Sequence, residues 1–303
     1  MTARFTVLAS GSSGNAAFLA HRGFGLLVDC GIGPRALSDR LSAAGAKWAD
    51  VSAVVLTHTH GDHWKGLTLG RMQRERVPLV LHADHAKYLA VASPEYAGLA
   101  KAGLVRTFRD GEAFAFTDGL SCLPVRVPHD SDPTFAFRID GTESESNRGW
   151  SLGYASDLGQ VPDALARAFR TVDVLALEFN HDVEMQRRSQ RPPDLVARVL
   201  GNLGHLSNRQ AANFVRSNLR DRPVPLRALY QLHLSRECNV ADLARAAADE
   251  SIVGCPIRPL IVTARQDVPT PPREIAAREL ESRDRPSAPS LAVSFQAALP
   301  DLN

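Results

Sequence analysis

The chain has 303 residues, 44% of them hydrophobic and 22% charged, so it can bury a full-sized core as two domains or as one α/β domain. No segment approaches ~20 consecutive apolar residues and residues 1–15 hold no run suited to a signal peptide, which excludes a spanning helix and leaves a soluble cytoplasmic protein with no membrane role as the expectation. A net charge of +2 neither demands nor excludes a polyanionic partner.

In chain order, apolar or alternating runs at 5–9, 16–20 and 25–29, broken by glycine-rich turns, read as consecutive strands. Leu37 and Leu41 at helical spacing predict a helix over 34–44. A β-branched run at 53–57 ends directly at a histidine cluster, and 79–82 reads as a strand followed by a helix over 83–91. Strands are expected at 113–117, 122–127, 134–139, 151–156 and 173–179, helices at 194–200, 208–219 and 240–249, and last strands at 227–232 and 258–263. Many strands, then helices interleaved with strands, predict an α/β fold of two packed sheets with helices outside. Beyond residue 264, Pro269, Pro271, Pro272, Pro286 and Pro289 punctuate a polar stretch. Residues 1–265 are therefore read as the domain and 266–303 as a disordered Pro-rich C-terminal tail, with one short helix conceivable over 275–280.

Cys30, Cys122, Cys238 and Cys255 show no C-x-x-C pair and no framework spacing, and read as small buried side chains in a reducing compartment. Nearly all basic residues are Arg, which fits either genomic composition or phosphate contact through the guanidinium fork.

The segment Thr57-His58-Thr59-His60-Gly61-Asp62-His63 places three imidazoles and a carboxylate where a buried strand stops. Alternate positions of an extended segment face the same way, so His58 and His60 can share one site. Gly61 permits a sharp turn that directs Asp62 and His63 to a second point nearby. Imidazole and carboxylate donors together suit Zn²⁺, Mn²⁺ or Fe²⁺ rather than Ca²⁺. Any one histidine alone would more simply be a hydrogen-bonded core residue; the grouping favours metal. Further ligands must come from downstream, and His129, Asp157 and His233 each stand where an apolar strand finishes.

H-x-H-x-D-H followed by separated His, Asp and His resembles the metallo-β-lactamase superfamily, and Asp29 after Val28 matches that superfamily's first Asp. The resemblance implies an αββα sandwich with two divalent metal ions at the edge between the sheets. One metal would take His58, His60 and His129, the other Asp62, His63 and His233, with Asp157 bridging. A narrower resemblance, over most of residues 8 to 240, is to the YycJ/WalJ (VicX) exonuclease branch. It rests on Ser10-Gly11-Ser12-Ser13-Gly14-Asn15, His129-Asp130-Ser131-Asp132-Pro133, Asn180-His181-Asp182, Gly204-His205-Leu206-Ser207-Asn208 and His233-Leu234-Ser235-Arg236-Glu237. That resemblance implies a 5′-to-3′ DNA exonuclease. The chain departs from the branch pattern at Leu232, where Gly is expected, and at Cys238, where Asn is expected.

A metal site alone would serve β-lactams, thioesters, lactones or phosphodiesters, so other residues must discriminate. Ser207 and Gln210 form an S-x-x-Q capping box, which puts His205 just ahead of a helix N-terminus, suited to an anion and to protonating a leaving alkoxide. Glu178, Asn180, His181 and Asp182 follow a buried strand, with roles either in orienting ligands or in contacting substrate. The loop of Ser10, Ser12, Ser13 and Asn15 offers consecutive amides and hydroxyls, either as a plain turn or as a nest for a terminal 5′-phosphate. The expected chemistry is hydrolysis of duplex DNA bearing a 5′-phosphate. A metal-activated water would attack phosphorus, oriented by Asp62 or Asp157; His205 would protonate the departing 3′-oxygen, and His181 is a further catalytic candidate. The alternatives are an RNA phosphodiesterase, a small thioester or lactone hydrolase, and a metal-binding regulatory module with little activity. The 27 residues between His129 and Asp157 leave little room for the long exosite arm of tRNA 3′-processing enzymes.

Overall fold

Strand β1 (Ala3–Ala9) turns Ala3, Phe5 and Val7 into one apolar layer and Leu8 into another, the period of two of a strand buried on both faces. The computed structural model describes residues 3–131, 133–143, 147–220, 222–255 and 257–280. After β1 come β2 (Ala16–His21), β3 (Phe24–Val28), β4 (Ala53–Val55), β5 (Leu79–His82) and β6 (Val105–Phe108), which complete the first sheet in spatial order 1-2-3-4-5-6. The second sheet holds β7 (Phe114–Thr117), β8 (Leu120–Val127), β9 (Thr134–Thr142), β10 (Arg148–Ala155), β11 (Val174–Glu178), β12 (Ala228–Leu232) and β13 (Leu260–Thr263), in spatial order 13-12-11-10-9-8-7.

Helices α1 (Pro34–Ala43), α2 (Gly66–Glu75), α3 (Ala83–Ala92) and α4 (Pro94–Lys101) cover the outer face of the first sheet through Leu37, Leu41, Leu69, Met72, Leu89 and Leu99. On the second sheet lie α5 (Asp163–Ala168), α6 (Val183–Arg188), α7 (Pro193–Leu200), α8 (Asn208–Leu219) and α9 (Ala241–Ser251). Their inward residues include Leu165, Ala211, Phe214, Val215 and Ala244. Between the sheets sits an aromatic core with Phe5, Phe135, Phe137, Trp150, Tyr154 and Tyr230; Phe5 and Tyr230 meet edge to face at 5.0 Å. Burying each such side chain contributes roughly 1.5–3 kcal/mol. The layers are helix, sheet, sheet, helix: the expected αββα sandwich. No helix among the described residues is long and apolar enough to cross a membrane.

The expected end of the domain at residue 265 falls short. Strand β14 (Arg273–Ile275) pairs antiparallel with β1, and β15 (Arg278–Glu279) pairs antiparallel with β10. Ile275 enters the core between the sheets, and Arg278 Nε donates to Asp173 at 3.0 Å. The short helix conceived over 275–280 is thus strand. The edge of β1 and the start of β10, ahead of its pairing with β11, supply hydrogen-bond partners that outweigh the polar, proline-punctuated composition. The rest of the expected tail, 281–303, lies outside the described residues.

Parallel pairing sets the position of the site. Strands β3, β4 and β5 run parallel, as do β10, β11, β12 and β13, so their carboxyl ends gather at common edges. Loops after such ends are where open α/β sheets place ligands. Three residues leave these ends in left-handed backbone: Asp29 after β3 (φ 62°), Asp157 after β10 (φ 61°) and His233 after β12 (φ 54°). Such geometry costs ~1–3 kcal/mol per non-glycine residue and collects at functional sites.

Candidate metal centre and active site

The loop after β4 delivers His58, His60, Asp62 and His63; His129 comes after β8, Asp157 after β10, and His233 after β12. Donor atoms of His58, His60 and His129 lie within 4.8 Å of one another, and so do those of Asp62, His63 and His233. Asp157 joins His58 and His63 in a third such group, and Glu178, His205 and His233 in a fourth. All seven residues expected as metal ligands therefore converge.

Surrounding groups fix which ring nitrogens face inward. The Nδ1 of His63 donates to Asp29 Oδ2 at 2.8 Å, and that of His129 to the Gly204 carbonyl at 2.9 Å. These partners only accept, so Nε2 is the nitrogen of each ring that faces inward, as a lone pair once the ring is neutral. Asp29 is held in turn by the Thr57 amide and hydroxyl, at 2.9 and 3.0 Å from its Oδ1. The Glu178 carboxylate is fully buried. It accepts from His205 Nδ1 at 2.7 Å and from the Leu206 and Leu158 amides at 2.9 and 3.2 Å, and it lies 3.3 Å from His233 Nδ1. Asp157 lies 3.1 Å from His63 Nε2 and 3.3 Å from His233 Nε2.

The electrostatics follow. Burial and then the neighbouring His63 hold His58 well below the usual imidazole range. Burial also opposes charge on His63, but Asp29 and Asp157 carry it well above that range. Burial would raise Asp157, yet His233 and His63 hold its carboxyl well below the usual range. His205 is raised by Glu178 against its own burial.

The donor set fits a divalent metal. The Nε2 of His58 is buried, has no hydrogen-bond partner, and belongs to an imidazole kept neutral in a group of inward-facing donors. An orphaned buried nitrogen costs stability unless something accepts its lone pair, and a divalent cation does so. Imidazole and carboxylate donors suit zinc or manganese.

A cavity of about 520 Å³ opens over these groups, lined among others by His60, Asp62, Asp157, His205 and His233.

Two comparisons decide the family. The sequence pattern of the Beta-lactamase superfamily domain matches residues 25–225. The exodeoxyribonuclease WalJ of Streptococcus pneumoniae is 30% identical over 241 residues, covering 80% of this chain and 85% of that protein. The chain belongs to the WalJ/YycJ branch of the metallo-β-lactamase superfamily. The exodeoxyribonuclease YycJ of Bacillus anthracis is likewise 30% identical, over 258 residues, covering 82% of this chain and 89% of that one. Among solved structures, the metallo-β-lactamase fold protein YhfI of Bacillus subtilis superposes with a TM-score of 0.62 at 16% identity, covering 89% of this chain and 99% of that chain, a likeness of fold alone. As a member of this branch the chain is a metal-dependent hydrolase.

The substrate-binding expectations fare unevenly. Ser12 and Asn180 line the cavity, whereas Ser10, Ser13 and Asn15 do not. The Ser10 hydroxyl accepts from the His233 amide at 2.7 Å. Asn15 Oδ1 accepts from the Gly11 amide at 2.9 Å, and its Nδ2 donates to Asp62 Oδ2 at 3.2 Å. The Ser13 amide is taken by Gln266 Oε1 at 2.9 Å, and the Gly14 amide by the Gly11 carbonyl at 3.0 Å. The Gly11, Ser13 and Gly14 amides are thus taken up within the fold, and Ser10 and Asn15 brace His233 and Asp62, which leaves Ser12 as the loop residue facing the cavity. Asn180 is a brace as well, its Nδ2 donating to the His233 carbonyl at 3.0 Å.

His181, expected as a further catalytic candidate, stands outside the cavity lining. Its ring is buried and is pushed down to about 4 by burial. Its carbonyl accepts from the Asn208 amide at 2.8 Å and so anchors the start of α8. Arg191, Leu195, Arg198 and Val199, which belong to no motif in the sequence, also line the cavity, from α7 and the turn before it. The i, i+3, i+4 spacing of Leu195, Arg198 and Val199 on one helical face is the signal the sequence offers; Arg191 precedes the helix and carries none.

Gly31 shows why one glycine is required here. A Cβ at that position would overlap the Asp62 carbonyl, so only glycine lets the two loops close on each other.

Proposed function

We propose that this chain is an exodeoxyribonuclease that holds two divalent ions, Zn²⁺ or Mn²⁺, and removes nucleotides from the 5′-phosphorylated end of duplex DNA. One ion would rest on His58, His60 and His129 and the other on Asp62, His63 and His233, with Asp157 between them. When bound, the ions lower the pKa of a coordinated water and neutralise charge on a phosphodiester. Asp62 or Asp157 would orient the attacking oxygen.

The observation that carries a phosphodiester rather than a thioester or lactone is His205. Its Nδ1 is fixed by Glu178, and its ring stacks on His233 with centroids 5.2 Å apart and planes 18° from parallel, at the wall of the cavity. Nε2 is then the nitrogen left to hand a proton to a departing 3′-oxygen, and Glu178 supports the positive charge that readies it. Poor leaving groups such as alkoxides need that proton. The nuclease names of the two relatives agree with this reading. Four unpaired cysteines suit a reducing compartment, so we place the protein in the cytoplasm.

The test is incubation with 5′-phosphorylated, end-labelled duplex DNA and Mn²⁺, beside the Asp62→Ala variant and a single-stranded RNA control. Stepwise loss from the 5′ end in the wild type alone is expected. Hydrolysis of RNA with DNA left intact would replace this reading with an RNA phosphodiesterase.

A further inference from the structure

Resting on that reading, we infer that α7 is the wall against which the end of the DNA strand is seated. Arg191 and Arg198 would take backbone phosphates, and Leu195 with Val199 the face of the terminal nucleoside. Leu195, Arg198 and Val199 line the cavity from α7 at the i, i+3, i+4 spacing of one helical face, and Arg191 joins them from the turn just before the helix. This wall carries two aliphatic side chains and two guanidinium groups, and it stands over the same cavity as Asp62, Asp157 and His205. A deoxynucleotide presents the complementary pattern, an apolar ring face flanked by anionic diester groups. A small thioester or lactone has no use for two guanidinium groups.

Each guanidinium is held by a partner that a phosphate can replace. Arg191 Nε donates to Glu237 at 2.9 Å, and its Nη2 donates to the Ser235 hydroxyl at 3.2 Å. The Glu237 carboxylate is 68% exposed, and an ion pair so open to water contributes little to stability. Arg198 bonds to Asp130, whose Oδ1 lies 3.3 Å from His129 Nε2. Arg198 therefore spans from the exposed face of α7 to the first histidine group. A phosphate bound there lies beside the centre that cuts the next bond. The planar fork of arginine, already oriented by these acceptors, suits bidentate phosphate contact.

The test measures kcat/KM on 5′-phosphorylated duplex DNA for wild type, Arg191→Ala, Arg191→Lys and Arg198→Ala, across about 50 to 200 mM salt. Removing a cation that neutralises one phosphate makes the log–log salt slope shallower by about 0.9, so both alanine variants should show that change while Arg191→Lys keeps the wild-type slope. A merely structural role would lower the rate at every salt concentration and leave the slopes parallel, which would overturn the inference. If the variants match wild type in both rate and slope, α7 is not the seat and the nuclease reading stands alone. If the wild type cuts no DNA, the nuclease reading falls and takes this one with it.

Discussion

His205 at the cavity wall and the fully buried Glu178 form a pair, the ring Nδ1 donating to Oε1 at 2.7 Å, and the same carboxyl lies 3.3 Å from His233 Nδ1. One carboxylate thus orients both the proposed proton donor and a proposed metal ligand. Burial would raise its pKa, but His205 and His233 hold it at about 2. Glu178→Gln, which keeps an acceptor for the Leu206 amide, should fold while losing about 10- to 100-fold in turnover. Glu178→Ala leaves charge and amide donors buried without partners and should cost roughly 3–5 kcal/mol of stability. Thermal melts beside steady-state rates separate the two; unchanged turnover in Glu178→Gln would contradict the orienting role.

His205→Asn should lower turnover on ordinary DNA by about 10²–10⁴-fold. On a substrate whose scissile 3′-oxygen is replaced by sulfur, a leaving group that needs no proton, the loss should be much smaller. Equal losses on both substrates would show that His205 acts otherwise than as the proton donor.

Asp29 accepts from His63 and from the Thr57 amide and hydroxyl, entirely out of solvent. Asp29→Asn can no longer hold the ring in the tautomer that presents Nε2. Metal affinity, read by chelator competition, should fall about 10- to 100-fold. Affinity equal to wild type would mean that His63 needs no such support.

His85 lies away from the metal centre, 1% exposed, its Nε2 donating to the Pro133 carbonyl at 2.7 Å. Burial pushes its pKa down to about 4, below the value near 6.5 of an unfolded histidine. Between these values the unfolded chain binds more protons, so the contribution is fully present above about pH 6.5 and is lost as pH falls toward about 4. It amounts to about 3 kcal/mol at most. Denaturant midpoints of His85→Gln should fall less steeply than those of wild type over that window. Parallel curves would remove His85 from the acid response.

Much of this arrangement is legible in the sequence because it depends on local periods. The alternation of Phe5 and Val7 against Leu8 marks β1, and His58, His60, Asp62 and His63 announce themselves by proximity in the chain. What is not legible depends on distant partners. The Ser10–Asn15 segment looks free to bind an anion until Gln266, about 250 residues away, takes the Ser13 amide and the Gly14 carbonyl. His181 looks like the ligands beside it, yet nothing local says that its ring turns into the protein rather than the cavity. Residues 273–275 read as tail because the hydrogen-bonding edge that orders them belongs to β1.

Ile275→Ala should destabilise the fold by about 2–5 kcal/mol, as for other buried aliphatic residues, measured by denaturant unfolding. An unchanged midpoint would mean that β14 adds nothing to the domain.

The central claim, metal-dependent hydrolysis by the seven converging side chains, is tested most directly by measuring bound metal and DNA hydrolysis on the same samples of wild type, His58→Ala and Asp157→Ala. The wild-type chain should hold about two ions, lose hydrolysis on chelation and recover it on adding Mn²⁺, with metal and activity reduced together in the variants. Full hydrolysis by chelator-stripped protein, or by either variant, would contradict it.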